Sequence, residues 1–244
     1  MMRIRGIILC EGETDQALLG YYMMGISDWK YKYDKSKLPF PQETINWFKD
    51  GQGNVLGIWA VGGNDFSSEL EMIMDSEMVE HTIDRIVVVT DHDDVDAEES
   101  RSYKLRDVVK DSLSLDNDID ILWENNAWTE IKYRNSLGEY IINICYLLVP
   151  AEEEGALETF MLNALCENEE EKNNVISQVR DFLSGFASEK YLKKRREKIK
   201  AELGVSISIM NPDRVFTIMN ELLESVSWEK FDTANKQFSV LKDI

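Results

Sequence analysis

Residues 7–15 are Ile-Ile-Leu-Cys-Glu-Gly-Glu-Thr-Asp, an apolar run that ends abruptly in acidic and small residues. Residues 86–94 repeat the pattern as Ile-Val-Val-Val-Thr-Asp-His-Asp-Asp. Short runs rich in Ile and Val, bounded by polar turn residues, are typical of buried parallel strands. Ligands of open α/β sheets collect beyond the carboxyl ends of such strands. The two acidic clusters are therefore predicted to lie at one edge of the same sheet.

The pattern around these clusters alternates strands and helices, which predicts βαβ units. Between the first helix and the second strand, residues 26–53 break the alternation with six aromatic residues and two prolines. We expect an insertion here. Its aromatic residues either anchor a loop to the core, which is the commoner use of such residues, or stack on bases or sugars. The strands are predicted at 4–10, 54–61 and 84–90, with helices at 14–25, from Phe66 onward and at 97–114.

In the second half of the chain, the residue pattern predicts one more strand near 118–123 and a hairpin with its turn at residues 135–138. Beyond it the periodicity is helical, and Gly204 is a predicted helix stop. We therefore expect an α/β domain over residues 1–150, with an insertion at about 26–53, and a helical C-terminal region over 151–244 packed on it. The hairpin arms are predicted at 127–134 and 139–149, and the helices at 155–167, 171–186, 188–203 and 212–225.

Composition limits the partners and the compartment. The chain of 244 residues carries 46 acidic and 27 basic residues, a formal net charge of -19. Such a surface repels polyphosphate and loses the counterion-release term of nonspecific nucleic-acid affinity, although acidity also serves solubility alone. Three separated cysteines without a CxxC pair argue against a zinc ribbon and a disulfide framework. No apolar run is long enough to span a membrane, so we expect a reducing cytoplasm and no membrane association.

The acidic clusters predict a divalent metal site. Carboxylates gathered at one sheet edge repel each other unless a cation lies between them, and Mg²⁺ prefers oxygen ligands. The predicted ligands are Glu11 and Asp15 from the first cluster and Asp91 and Asp93 from the second. His92 is predicted to point away, because a pleated strand alternates its faces. Capping and helix-dipole roles are the plainer interpretation of either cluster alone.

Glu11 and the Asp91-x-Asp93 pair, in this order, resemble the TOPRIM domain of topoisomerases, bacterial primases and several nucleases. The string from Cys10 to Asp15 is similar to stand-alone TOPRIM-like proteins and to the nuclease half of overcoming-lysogenization-defect enzymes. Beyond these clusters, the chain resembles a small bacterial TOPRIM-like family that carries a domain-of-unknown-function name. That wider resemblance rests on Gly62-Gly63 after an apolar run, on the stretch from Gly155 to Phe160 and on a C-terminal stretch that contains Trp228. Some members have a third acidic residue where this chain has Val95.

The resemblance implies a TOPRIM-like, Rossmann-like, mostly parallel sheet flanked by helices, and Mg²⁺ or Mn²⁺ as the cofactor. It implies that Glu11 ligates the metal or acts as general acid and base. Glu158, in the first turn of a helix that follows a strand, is a candidate for a further metal ligand, with dipole capping as the alternative. Related nucleases use a late lysine at the site, which makes Lys198 or Lys200 a candidate catalytic residue.

A basic run stands out in this acidic chain between residues 190 and 200. Helical spacing places Lys193, Arg196 and Lys200 along one face, which suits contact with a phosphate backbone. Lys193, Lys194 and Arg196 are therefore the candidate nucleic-acid-binding residues. A solvated helix face with surface salt bridges is the plainer interpretation of such a run.

The sequence leaves three functions open. The first is a metal-dependent TOPRIM-type nuclease that cuts or nicks DNA or RNA, in defence or RNA processing. The second is a non-catalytic regulatory or effector subunit that binds nucleotide, nucleic-acid ends or a protein partner, which the net charge of -19 favours. The third is a phosphotransfer enzyme acting on a small phosphorylated molecule. The absence of a P-loop string excludes the ATPase half of the overcoming-lysogenization-defect arrangement.

Overall fold

A seven-stranded sheet occupies the centre of the computed structural model, which describes residues 4–31, 43–80, 83–92, 95–116, 120–167, 169–186, 190–214 and 219–244. The strands are β1 (Ile4–Cys10), β2 (Lys30–Tyr31), β3 (Ile45–Lys49), β4 (Val55–Ala60), β5 (Arg85–Asp91), β6 (Trp128–Asn135) and β7 (Gly138–Val149). Their order is β2-β3-β4-β1-β5-β7-β6. The four central strands β4, β1, β5 and β7 are parallel, and the outer strands pair antiparallel.

Helices cover both faces of this sheet. They are α1 (Glu13–Ile26), α2 (Ser67–Glu80), α3 (Val95–Ser112), α4 (Leu157–Cys166), α5 (Glu170–Ser184), α6 (Arg195–Met210), α7 (Met219–Ser225) and α8 (Asp232–Gln237). Short 3-10 helices lie at Pro212–Arg214, Trp228–Lys230 and Ser239–Asp243. The predicted α/β class, with a mostly parallel sheet flanked by helices, is therefore confirmed.

The alternation of the central strands explains why both faces are covered. Along β5, Val87 and Val89 point into one apolar cluster, and Ile86 and Val88 point into the other. Parallel strands buried on both faces are continuously apolar, which is the pattern seen in β1 and β5. Helices α2 and α3 supply the second cluster, while α1 and the C-terminal helices supply the first.

The C-terminal region shares its core with the sheet. Phe160 on α4 packs against Trp228 and Phe238, with ring centroids 6.4 and 5.1 Å apart. Phe238 in turn packs against Tyr22 of α1 at 5.2 Å. All four side chains are almost fully buried. The helices after residue 151 therefore close one face of the sheet.

The segment predicted as an insertion extends the sheet. Strand β3 pairs antiparallel with β4, and its Trp47 ring lies over Gly57 of that strand, where a Cβ would approach the ring to 2.9 Å. Phe48 packs in the same way over Gly20 of α1. Both aromatics and Trp29 are buried, so their role is packing. Tyr33 and Phe40, two of the six aromatic residues in this segment, lie outside the described residues.

Two predictions about secondary structure are wrong. The first is the strand at 118–123, of which the structure describes residues 120–123 as irregular. Side chains hold this segment in place of backbone pairing, because Ile121 is buried and the Trp123 indole donates to the Ser102 carbonyl. Helix α6 does not stop at Gly204 but continues to Met210. Burial of Leu203 and Ser206 outweighs the glycine propensity there.

Several finer predictions are confirmed. The hairpin turns at residues 136–137 between β6 and β7, and the three cysteines are unpaired thiols. The helix predicted at 212–225 is observed in part, as a 3-10 helix over Pro212–Arg214 and α7 over Met219–Ser225. Within the residues that the structure describes, none of the helices is long and apolar enough to cross a membrane.

Candidate functional site

The acidic edge lies where the order of the strands reverses. The chain leaves β1 toward β4 on one side and later returns to β5 on the other side of β1. This is the switch point of an open α/β sheet, at which a crevice forms beyond the carboxyl ends of the strands. Glu11 directly follows β1, and Asp91 is the last residue of β5. The prediction that both clusters share one edge is confirmed for these two residues.

Glu11 is tied to the neighbouring strand through one of its oxygens. Its Oε1 accepts hydrogen bonds from the Thr90 hydroxyl at 2.8 Å and from the Asp91 backbone N–H at 3.0 Å. Its own carbonyl accepts from the N–H groups of Gly62 and Gly63, both at 3.0 Å. Gly62 has a φ of +83°, so the turn after β4 needs glycine there. The backbone of Glu11 is therefore held by the turn after β4, and its carboxylate is held by β5 through Oε1.

Asp91 faces the beginning of α4. Its Oδ1 accepts a hydrogen bond of 3.1 Å from the N–H of Leu157, the first residue of that helix. Burial raises the pKa of Asp91 to about 7, and the charges of Glu11, Asp15 and Glu158 contribute to the rise. The Leu157 hydrogen bond acts in the opposite direction because it favours the carboxylate. Burial and repulsion thus outweigh this stabilisation.

Asp15 belongs to the same cluster from the first turn of α1. Its Oδ2 accepts from the Gly12 N–H at 3.0 Å and closes the N-terminus of the helix, as a capping residue does. Burial raises the pKa of Asp15 to about 6, and the charges of Glu11 and Glu158 contribute to the rise. The capping interpretation is therefore correct, and Asp15 still belongs to the acidic cluster.

Glu158 lies in the first turn of α4, as predicted, and its charge reaches both Asp15 and Asp91. Its Oε1 is 3.4 Å from the Nζ of Lys200 on α6. Of the two candidate lysines the structure brings Lys200 to the acidic edge. Lys198 is exposed and pairs with none of the acidic residues that the structure describes.

A buried arginine, Arg101, holds the end of β5 by hydrogen bonds. The guanidinium of Arg101, on α3, donates to the Thr90 hydroxyl at 2.7 Å and to the Asp91 carbonyl at 3.5 Å. Its side chain is only 8% exposed. Arg101 and Thr90 thus form a relay that orients Glu11. Sequence reasoning missed both, because Arg101 is one of 27 basic residues and lies in a helix rich in charges.

His92 makes its contacts away from Glu11, Asp15 and Asp91, as predicted. Its Nδ1 lies 2.8 Å from the Pro150 carbonyl, and its Nε2 lies 3.4 Å from Oε1 of Glu98. Its backbone N–H donates to the Val149 carbonyl and its carbonyl accepts from Gly155. His92 therefore joins β5 to the turn before α4. Asp93, the fourth predicted ligand, lies outside the described residues.

The donor set fits a hard divalent cation. Glu11 and Asp91 each use one oxygen for protein donors, and a bound cation would relieve the repulsion within the cluster. Among the residues with assigned positions, no three Asp, Glu, His or Cys side chains are arranged to ligate one ion together. Mg²⁺ is commonly held by one or two carboxylates with water and substrate phosphate, and Glu11 and Asp91 are the residues that would hold it.

The predicted nucleic-acid-binding residues lie at the start of α6 and just before it. Lys193, Lys194 and Arg196 are exposed. Their neighbour Arg195 pairs with Glu154 at 2.9 Å. With the Lys200–Glu158 pair, this contact places the basic run beside the acidic edge.

Fold and site together define an α/β protein with a carboxylate cluster at the switch point of a mostly parallel sheet. The chain belongs to the family DUF3226, described as a protein of unknown function, whose model matches residues 5–235. No curated protein matches the chain.

Proposed function

We propose that this protein is a Mg²⁺-dependent TOPRIM-type nuclease or phosphodiesterase that cuts or nicks DNA or RNA. The observation that carries the proposal is the joining of Glu11 and Asp91 by a 3.0 Å hydrogen bond at the switch point. Burial, and after it the charges of Glu11, Asp15 and Glu158, raise the pKa of Asp91 to about 7, and a bound cation would offset both effects. The TOPRIM resemblance of Glu11 and the Asp-x-Asp string supports the same assignment.

The residues divide the chemistry between them. Glu11 and Asp91 would hold the ion, which when bound polarises a substrate phosphate and activates water. Glu158 and Lys200 form a charged pair beside them, and the Lys200 ammonium would neutralise charge on the cleaved phosphate. Asp15 can take and return a proton there, because its pKa is raised to about 6. The role of Glu11 as general acid and base rests on the resemblance. Asp93 belongs to the proposal by resemblance alone.

The decisive experiment is a cleavage assay on plasmid, single-stranded DNA, structured RNA and free nucleotides, with Mg²⁺ or Mn²⁺ and with EDTA. We expect metal-dependent cleavage of a polymer, reduced at least about 100-fold in Glu11→Gln and Asp91→Asn. Glu71→Gln and Asp75→Asn are matched controls, since both residues are exposed on α2 on the far face of the sheet. Cleavage that survives in both site variants would refute the assignment.

A second candidate is a regulatory or effector subunit that keeps the metal site and binds nucleotide, nucleic-acid ends or a protein partner. The net charge of -19 favours it, because such a surface repels long polyanions. Metal binding without turnover on any polymer would support this candidate. Turnover confined to nucleotides would instead support a phosphotransfer enzyme acting on a small phosphorylated molecule.

A further inference from the structure

Two aromatic rings are exposed together at the end of α5. Phe182 and Phe186 are 62% and 50% exposed, and their ring centroids lie 6.2 Å apart. Single exposed apolar side chains are ordinary, but a pair of touching, exposed rings costs hydration free energy without adding to the core. Tyr191, which is 63% exposed, follows a few residues later with the Lys190 ammonium 4.7 Å from its ring centroid.

The same part of the chain concentrates positive charge. Seven of the eleven residues from 190 to 200 are Lys or Arg and one is acidic, in a chain of net charge -19. Lys193 and Lys194 are exposed there. We use the name aromatic-basic surface for Phe182, Phe186, Lys190, Tyr191, Lys193 and Lys194. Arg180 of α5 pairs with Glu202 of α6, so the helices that end near the rings and begin near the lysines pack against each other. Exposed rings together with cations are the combination with which proteins bind unpaired nucleic-acid strands.

The aromatic-basic surface leads toward the acidic edge. Arg195, the next residue, pairs with Glu154 in the loop before α4. Lys200 pairs with Glu158 at the site itself. Lys200 lies five residues after Arg195, about 7.5 Å along the helix, so a bound strand passes from this surface to the carboxylates within a few nucleotides.

We propose that the aromatic-basic surface binds an unpaired strand of DNA or RNA by stacking bases on Phe182 and Phe186 while the lysines contact phosphates. The inference rests on the proposed function, which it narrows to substrates with single-stranded segments. A duplex offers no free base faces to these rings. An anionic lipid bilayer is the poorer partner, because it presents a wide negative surface to a chain of net charge -19, whereas one strand contacts only a narrow strip.

The test is fluorescence anisotropy in EDTA, with labelled single-stranded DNA and RNA oligonucleotides and the corresponding duplexes. We expect the single strands to bind more tightly than the duplexes. The double variant Phe182→Ala/Phe186→Ala should weaken single-strand binding by about fivefold or more. The control is Tyr103→Ala, whose ring is 53% exposed on α3. It should leave the affinity unchanged.

A second variant tests the charges independently of the rings. Lys193→Gln/Lys194→Gln should reduce the salt dependence of single-strand binding by about 0.7 in logarithmic slope for each phosphate that a lysine no longer neutralises. Equal affinity for duplex and single strand, unchanged binding by the phenylalanine variant, or binding only to phosphatidylserine vesicles would each overturn the inference. The binding assay contains no metal, so it is independent of the cleavage assay. Single-strand binding by a protein that cleaves no polymer would refute the nuclease and support this surface. Cleavage by wild type, with single-strand binding unchanged in the phenylalanine variant, would support the nuclease and refute this surface.

Discussion

The Asp91 N–H donates a 3.0 Å hydrogen bond to Oε1 of Glu11, which joins the carboxyl ends of β5 and β1 through the Glu11 side chain. The two strands are already held in parallel register, with Cys10 opposite Val89. The sheet therefore sets the separation of the two carboxylates, and no loop has to be ordered to bring them together. Sites built on rigid elements in this way keep their geometry when the ligand leaves.

The stability of the metal-free protein should fall as pH rises. Burial and neighbouring carboxylates raise the pKa of Asp91 to about 7 and that of Asp15 to about 6. A carboxyl whose folded pKa exceeds the unfolded value contributes stability that is present below about pH 4 and is lost as pH rises through the folded pKa. We expect the free energy of unfolding of Asp91→Asn to be close to that of wild type near pH 4 and to exceed it by about 1–4 kcal/mol at about pH 8.

Urea denaturation in EDTA across this pH range measures the difference. Asparagine can still accept the Leu157 hydrogen bond, so the packing of the site is kept. Asp75→Asn, an exposed change on α2, reports the effect of removing one charge from the acidic surface. A gain for Asp91→Asn that stays constant with pH would contradict the account of the cluster.

The Thr90 hydroxyl links Arg101 to Glu11, accepting at 2.7 Å from one and donating at 2.8 Å to the other. Thr90→Val removes both hydrogen bonds in a side chain that is 2% exposed. We expect a loss of about 1–3 kcal/mol in the free energy of unfolding, because the Arg101 guanidinium and the Glu11 carboxylate each lose a hydrogen bond in a buried place. Metal affinity should fall by about tenfold or more.

Thr90→Ser is the matched control, since serine restores the hydroxyl and should recover most of the metal affinity. Denaturation and Mn²⁺ titration of both variants give the answer. A serine variant that binds metal as weakly as the valine variant would show that the hydroxyl does not position Glu11.

Lys200 and Lys198 should differ in their effect on cleavage. The Lys200 side chain is 50% exposed and lies 3.4 Å from Glu158, so the ion pair contributes at most about 1 kcal/mol to stability. Lys200→Met should nevertheless lower the cleavage rate by about tenfold or more, because its charge lies at the site. Lys198→Met should leave the rate within about twofold. The same loss in both variants would indicate a general charge effect of the basic run.

The C-terminal helices should unfold together with the sheet. Phe160 is 1% exposed and packs on Trp228 and Phe238, so Phe160→Ala should cost about 3–5 kcal/mol. Phe160→Leu, which loses less volume, should cost less and keep the protein folded. Tryptophan fluorescence and circular dichroism during urea unfolding should give one coincident transition. Two separate transitions would show that residues 151–244 are an independent unit.

Much of this site could be predicted from local patterns. The β1 and β5 boundaries follow from apolar runs that end in turn residues, and β1 is observed at the predicted residues 4–10. Glu158 was predicted in a first helical turn and is observed there. These predictions succeed because strand ends and helix starts depend on neighbouring residues in the sequence.

What the sequence did not reveal depends on contacts between distant residues. Strand β3 forms because Trp47 covers Gly57, and the irregular segment near Ile121 is held by side chains from other elements. The Arg101–Thr90–Glu11 relay joins three separate elements. None of these partners has a spacing that a periodic pattern could reveal.

The convergence of Glu11 and Asp91 on one metal ion is tested most directly by isothermal titration of Mn²⁺ into the metal-free protein. We predict that wild type and Glu71→Gln bind with equal affinity, and that Glu11→Gln and Asp91→Asn bind at least about tenfold more weakly. No binding by wild type, or equal binding by the Glu11 and Asp91 variants, would contradict the account.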